Sequence, residues 1–290
     1  MLVTDTIASM RQARGWIQKK YAHASGPALG LVPTMGALHA GHLSLIARAR
    51  QECAAVAVSI FVNPLQFGAG EDFSRYPRPF ARDLALLREA GVDLIFAPPV
   101  AEMYPAGAST YVEVGELGGR LDGHFRPGHF RGVTTVVAKL FHLVQPEIAY
   151  FGQKDAAQLA VLRRMVRDLD FNLKLTACPI VRDADGLALS SRNAYLTTAE
   201  RSAALALPRA LGAMQEAIAA GTHAAEALLA VGRALLDAEP GVQVEYLAAV
   251  DAATLEPVDE VTRGTLVAVA AKVGRTRLID NFVAENFPLE

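Results

Sequence analysis

The chain is predicted to be an α/β protein, a doubly wound parallel sheet followed by a smaller α+β domain. Two observations carry this: short apolar runs alternate with helix-patterned segments over residues 1–182, and the composition changes after Val181. Residues 28–33 are a short apolar run ending in a Gly- and His-rich loop, and a helical stretch follows over 42–52. Residues 56–62 are β-branched and continuous, which suits a strand buried on both faces. Residues 80–91 read as a helix closed by Gly91, and 92–97 as the next strand. A helix over 133–144, a strand over 148–151, a helix over 158–169 and a strand over 173–181 complete the series. Strands alternating with helices imply parallel pairing through right-handed crossovers, so residues 1–182 are expected to form a Rossmann-like domain.

The polar segment 182–192 contains Asp-Gly and reads as a hinge or lid loop. Two Ala/Leu-rich helices follow, over 198–219 and 223–237, then strands over 242–250 and 265–273, pairing with 277–282. Residues 183–290 are therefore expected to be a small α+β domain that acts as a lid.

Composition narrows the function classes. A hydrophobic fraction of 52% against 20% charged residues provides for a real core. No run approaches the roughly 18 apolar residues that a membrane span needs, and Met1 to Trp16 mixes charges with apolar residues, unlike a signal peptide. A soluble, cytoplasmic protein is expected. Cys53 and Cys178 belong to no CxxC or Cys/His cluster, so they are expected to be reduced and packed, with no zinc site. A net charge of −2 and a pI near 6.4 give no general attraction to nucleic acid.

The most informative segment is Pro33-Thr-Met-Gly-Ala-Leu-His39-Ala-Gly41-His42, between an expected strand and an expected helix. Such a junction turns backbone N–H groups and the helix dipole toward a bound phosphate. Gly36 and Gly41 allow close approach, and His39 and His42 share a face at the helix start, where imidazoles can stabilise phosphoryl charge. The glycine spacing resembles a P-loop, but His42-Leu43 stands where Lys-Ser/Thr is required, so that reading fails. Metal binding by the two histidines lacks a carboxylate close in sequence.

Other segments admit two readings each. Asn63 and Gln66 follow a strand end and could hold hydroxyls and a carboxylate through neutral amides, or form an Asn-Pro turn. Lys154, in Phe151-Gly152-Gln153-Lys154-Asp155, offers a cation to a phosphate or is a solvated lysine. Ser190-Ser191-Arg192-Asn193 could grip a triphosphate or cap a helix. Residues 123–131, carrying Arg126 and His129, read as a compact basic loop. Asp72 and Asp83 are carboxylates that could approach a magnesium ion, and the sequence does not place them.

His39-Ala-Gly41-His42 resembles the HxGH signature of a nucleotidyltransferase superfamily shared with class I aminoacyl-tRNA synthetases. The longer string from Val32 to Leu43 is similar to the pantothenate synthetase (pantoate–β-alanine ligase) family. The similarity continues in order through Ser59-Ile-Phe-Val-Asn63-Pro-Leu-Gln66-Phe, Arg126-Pro-Gly-His129-Phe-Arg-Gly-Val, the Phe151 block and Leu189-Ser190-Ser191-Arg192-Asn193. That resemblance implies an ATP-dependent ligase joining pantoate and β-alanine through a pantoyl adenylate, releasing AMP and pyrophosphate, with Mg²⁺ accompanying ATP. It implies that His39, His42, Lys154 and Arg192 are catalytic, and that Met35, Gly41, Gly152, Asp155, Val181, Ser190 and Ser191 join them around ATP. Asn63, Gln66, Gln158, Tyr76, Arg126 and His129 would lie on the pantoate side. Ala156 stands where many relatives carry an aromatic, which implies a local packing change. A homodimer is implied by the resemblance alone.

Overall fold

A computed structural model describes residues 1–285 of the chain. Its first sheet has six parallel strands in the order β1-β4-β3-β2-β5-β6, comprising β1 (Leu2–Thr4), β2 (Leu29–Thr34), β3 (Ala55–Ile60), β4 (Leu94–Phe96), β5 (Ile148–Gly152) and β6 (Lys174–Cys178). The helices between them are α1 (Ile7–Lys20), α2 (Ala40–Glu52), α3 (Phe80–Glu89), the short α4 (Val100–Met103) and α5 (Asp122–Phe125), α6 (His129–Val144) and α7 (Ala156–Asp168). After β6 come α8 (Thr198–Ala204), α9 (Ala206–Ala219) and α10 (Ala225–Asp237). An antiparallel three-stranded sheet closes the chain, ordered β7 (Val242–Asp251), β8 (Thr265–Val273), β9 (Thr276–Val283).

The chain forms two compact units that are not two continuous stretches. Met1–Gly119, Arg126–Gly152 and Val161–Cys178 make the first, and Arg120–Phe125, Gln153–Ala160 and Pro179–Glu290 the second. Two segments that precede residue 182 thus pack with the C-terminal residues.

In the first unit the doubly wound sheet expected from the sequence is present, buried on both faces. Val32, Val56, Val58, Ile95 and Tyr150 share one core with Leu45 and Ile46 of α2 and Leu87 of α3. The intervening strand residues Leu31, Leu94 and Ala149 are equally buried, because consecutive strand side chains point to opposite faces. Cys53 and Cys178 are buried, free thiols in the first core, as expected. Pro33, inside β2, has no N–H to donate, and pairing with β5 extends only through Gly30 and Leu31. Beyond that point β2 stays paired with β3 through Thr34, and Thr34 Oγ1 adds a bond to the Ser59 carbonyl at 2.7 Å.

Several boundaries differ from the sequence reading. The strand β1 and helix α1 were not anticipated; the Thr6 capping box starts α1, and its buried face is Met10, Ala13 and Ile17. The single helix expected over 198–219 is two, α8 and α9, because Pro208 in the first turn of α9 cannot continue a helix from upstream. The basic loop expected over 123–131 is mostly helical. Its ends belong to α5 and α6, and Gly128, at φ 81°, is the turn between them.

The second unit carries its own core, in which Leu207, Leu211 and Met214 of α9 and Leu228 of α10 pack on Val267, Val269 and Ala271 of β8. At its edge Arg277 bridges two carboxylates, reaching Asp122 at 2.6 Å and Glu245 at 2.7 Å, and the Tyr246 hydroxyl donates to Asp122. Burial, reinforced by the Asp122 charge, holds the Tyr246 phenol protonated well above its ordinary range. Removing the shared cation leaves Asp122 without its ion pair and Glu245 with Lys272 alone, at 3.6 Å. Arg277→Ala is expected to destabilise the protein by about 3 kcal/mol, read as a lowered urea midpoint; an unchanged midpoint would show that the two acids need no partner.

Candidate active site

The loop from β2 to α2 makes a tight reversal, with Gly36 at φ 80° and Ala37 at φ 52°. Left-handed backbone at a non-glycine residue is strained unless something compensates. Here Asp83 of α3, only 1% exposed, compensates: Ala37 N–H donates to its Oδ2 at 2.8 Å and Leu38 N–H to its Oδ1 at 2.9 Å. Both carboxylate oxygens are therefore engaged by backbone, and Asp83 serves as the anchor of this loop. Leu38 then inserts into the core at 1% exposure.

His39 is the N-cap of α2. Its Nδ1 accepts from Gly41 N–H at 3.2 Å, while the His39 N–H points to Nδ1 of His42 at 3.4 Å. The two ring centroids are 4.1 Å apart. A neutral imidazole that accepts at Nδ1 carries its proton on Nε2. Both rings are thus held as Nε2–H donors at the positive end of a 13-residue helix.

Beyond β3, Asn63 is 1% exposed and spends its whole hydrogen-bonding capacity inside the first unit. Its Oδ1 accepts from Leu65 N–H (3.3 Å) and the Tyr104 hydroxyl (2.8 Å), and its Nδ2 donates to the Gly132 carbonyl and Gln66 Oε1, both at 3.0 Å. Burial pushes the Tyr104 phenol far up, so it remains a donor. Gln66 Nε2 in turn reaches Met35 Sδ at 3.2 Å, linking this turn to the loop before His39. Met35, Asn63 and Gln66 form one connected group.

Arg126 and His129 hold the same turn from its other side. Arginine can only donate, so His129 Nε2 accepts from Arg126 Nη1 at 2.9 Å, and Nδ1–H donates to the Gln66 carbonyl at 2.8 Å. Arg126 also forms a bidentate pair with Glu71 at 2.7 and 2.6 Å. Tyr76 is buried against Phe67, with ring centroids 6.1 Å apart. α6 approaches so closely that a Cβ on Gly132 would lie 2.2 Å from the Leu65 carbonyl oxygen.

In the second unit, Lys154 and Asp155 lie on a short 3-10 turn after β5, with an ion pair of 3.7 Å between them. Gly152 ends β5, and Gln158 sits half-buried in the first turns of α7. Ala156 is buried, filling the position after Asp155 with a small side chain. The segment 182–188 is a tight turn: Arg182 and Ala188 form an isolated bridge, and Arg201 pairs with both Asp183 and Asp185. Leu189 N–H bonds to the Val181 carbonyl at 2.9 Å, which delivers Ser190 as N-cap of the turn Ser191–Tyr195, its Oγ accepting from Arg192 N–H at 3.3 Å. The capping reading of Ser190 is thus realised.

Sequence reasoning did not find the anchors Asp83, Glu71, Tyr104 and Gly132. Asp83 was considered only as a carboxylate that could approach magnesium and Gly132 was not assigned a role, since nothing local marks a residue whose partner lies far along the chain.

Two outcomes follow from this packing. Gly132→Ala is expected to force the 64–66 turn aside and cost about 1–3 kcal/mol, seen as a lower melting temperature; equal stability would mean that the helix can retreat freely. Burial opposes ionisation of Glu71, but the hydrogen bond and charge of Arg126, with Gly68 N–H, hold its pKa below the ordinary value. A depressed folded-state pKa contributes stability that is fully present above the unfolded value of about 4.3 and lost as pH falls through the folded one. Glu71→Gln should therefore lower stability at neutral pH and flatten its decline below about pH 4, measured as melting temperature against pH. Parallel curves for the two proteins would count against the pairing.

Comparison with known proteins places the chain in a family. A family profile described as "Pantoate-beta-alanine ligase" matches residues 3–283. The pantothenate synthetase of Acidobacterium capsulatum is 61% identical over 260 residues, covering 90% of this chain and 87% of that protein. That of Koribacter versatilis is 54% identical, covering 98% and 96%. The crystal structure of pantothenate synthetase from Thermus thermophilus superposes with a TM-score of 0.92 at 50% identity, covering 99% of this chain and 100% of that one. A Francisella tularensis pantoate-beta-alanine ligase, complexed with beta-gamma ATP and beta-alanine, gives a TM-score of 0.81 at 33% identity, covering 99% and 98%. With the family profile spanning nearly its whole length and such identities on either side of it, the chain belongs to the pantoate–β-alanine ligase family.

Proposed function

We propose that the chain condenses pantoate with β-alanine using ATP, by way of a pantoyl adenylate. The joining of pantoate to β-alanine is the activity of the family to which it belongs. In the first step a pantoate carboxylate oxygen attacks the α-phosphorus, and the bond to the bridging oxygen of pyrophosphate breaks. In the second, the β-alanine amine attacks the acyl carbon, AMP leaves with the C–O electron pair, and the amine gives up a proton to solvent. No side chain need become covalently attached; placement and charge neutralisation carry the acceleration.

The observation that carries the phosphate assignment is the His39–His42 pair, held as two Nε2–H donors at the start of α2. These rings, with Lys154, Ser190, Ser191 and Arg192, stabilise the phosphoryl charge, while Met35, Gly41, Gly152, Asp155 and Val181 surround the nucleotide. Gln66, Gln158 and Tyr76 face pantoate. Asn63, Arg126 and His129 serve that side by holding Gln66, since their polar atoms bond to the turn and its neighbours. Residues 183–290 act as the lid that keeps water from the adenylate. Mg²⁺ belongs to the substrate, arriving with the ATP phosphates: Asp83 is engaged by backbone, and among the described residues no group of three or more His, Cys, Asp or Glu side chains could hold a metal. A cytoplasmic homodimer is part of the reading and rests on the family resemblance.

Pyrophosphate release from MgATP is expected to require pantoate and to turn over fully, with AMP formed, only when β-alanine is added. His39→Ala and Lys154→Ala should fold normally and lose about 10²–10³ in the adenylation rate. Pantoate-independent release, or near-normal rates in both variants, would defeat the assignment.

A further inference from the structure

Asp280 and Asn281 are neighbours on β9, each 2% exposed, in a strand whose buried positions otherwise alternate. Consecutive strand residues face opposite ways, so the pair can serve two segments at once. Asp280 receives Arg182 in a bidentate pair at 2.6 and 3.0 Å, and Arg182 also donates to the Gly186 carbonyl at 3.1 Å. Asn281 donates from Nδ2 to the carbonyl oxygens of Gln153 (3.0 Å) and Lys154 (2.9 Å), and its Oδ1 accepts from Gln153 Nε2 (3.3 Å). All of these residues lie within the second unit.

Asparagine is a poor strand residue, and a buried amide costs free energy unless its bonds are made. At this position each of the amide's bonds goes to the turn that carries Lys154 rather than to the sheet. A β-branched side chain would serve β9 better and would remove the two bonds that Nδ2 gives to carbonyls of that turn. We propose that Asn281 is a positioning residue for Lys154: by fixing the peptide carbonyls of Gln153 and Lys154, it sets where the ammonium meets the ATP phosphates. Asp280, through Arg182, gives the start of the 182–188 turn the same kind of support from the opposite face. The inference rests on the phosphate role of Lys154 proposed above.

Asn281→Asp tests it, since the shape is kept while both donors are lost and a carboxylate faces two carbonyls. A shift of about 1 Å in a positioned group costs up to 10²-fold, so kcat/KM for ATP in pyrophosphate release should fall about tenfold or more. KM for β-alanine should stay within about twofold, a split that general loosening of the fold would not give. Asn281→Ser, which keeps one donor, should fall between Asp and wild type, and it carries the test if the Asp variant does not fold. In a Lys154→Ala background, Asn281→Asp should add less than about twofold. Full activity of Asn281→Asp beside an impaired Lys154→Ala would overturn the positioning role and leave the Lys154 assignment standing. Multiplicative losses in the double variant, or equal losses toward ATP and β-alanine, would also overturn it. Near-normal turnover of Lys154→Ala alone would instead remove the Lys154 assignment itself.

Discussion

The reversal of strand order between β2 and β5 is the constraint from which the site follows. From β2 the sheet extends through β3, β4 and β1 on one side, and β5 and β6 lie on the other. Right-handed crossovers on the two sides place helices on opposite faces, so the loops leaving adjacent β2 and β5 diverge. The β2 loop carries the His39–His42 pair, and the chain leaving β5 reaches Lys154 two residues beyond Gly152. Pro33 sharpens the divergence, because it ends the ladder to β5 before the strand itself ends.

Loops have little sheet or helix to stiffen them, and the protein supplies rigidity with buried polar side chains. Asp83 holds two amides of the 36–38 turn, and Asn63 ties the 64–66 turn to α6 and Tyr104. Asn281 holds two carbonyls beside Lys154. Each of these would be costly in the interior if unpaired, and each is paired with backbone of a loop. The arrangement holds the loops in one conformation, which is the form of preorganisation that the proposed charge stabilisation at phosphorus requires.

The sequence made legible whatever is written in neighbouring residues. β2, β3, β5 and the helices after them stood out as apolar runs bounded by glycine or proline, and the C-terminal sheet as paired β-branched segments. The His39–His42 cap was legible for the same reason, its partners lying within three residues. Hidden were β1, with three residues too short to show a period, and the break at Leu205, concealed by continuous Ala/Leu composition. The anchors were hidden on other grounds. Asp83 is 46 residues from Ala37, Arg126 is 55 from Glu71, and Asn281 is 127 from Lys154. A carboxylate or amide in an isolated strand or helix looks the same whether it will face water or a distant loop.

Capping and phosphate binding, which the sequence set against each other at Ser190, are compatible uses of one residue under the proposed function, and the same holds for the cap that the structure shows at His39. Serine, asparagine or aspartate would cap α2 better than histidine. None of them would present a ring N–H to the far side while its near side accepts from the helix. At His39 the capping bond to Gly41 is what fixes the tautomer, and so what makes Nε2 the donor. His42, three residues on, accepts from the cap residue's own N–H, and the two rings orient each other through the first turn of the helix. At Ser190 the cap similarly secures the turn that carries Ser191 and Arg192. Under the proposed function, satisfying the orphan N–H groups of a helix start and assembling donors for a phosphate are one structural problem, met by the same residues.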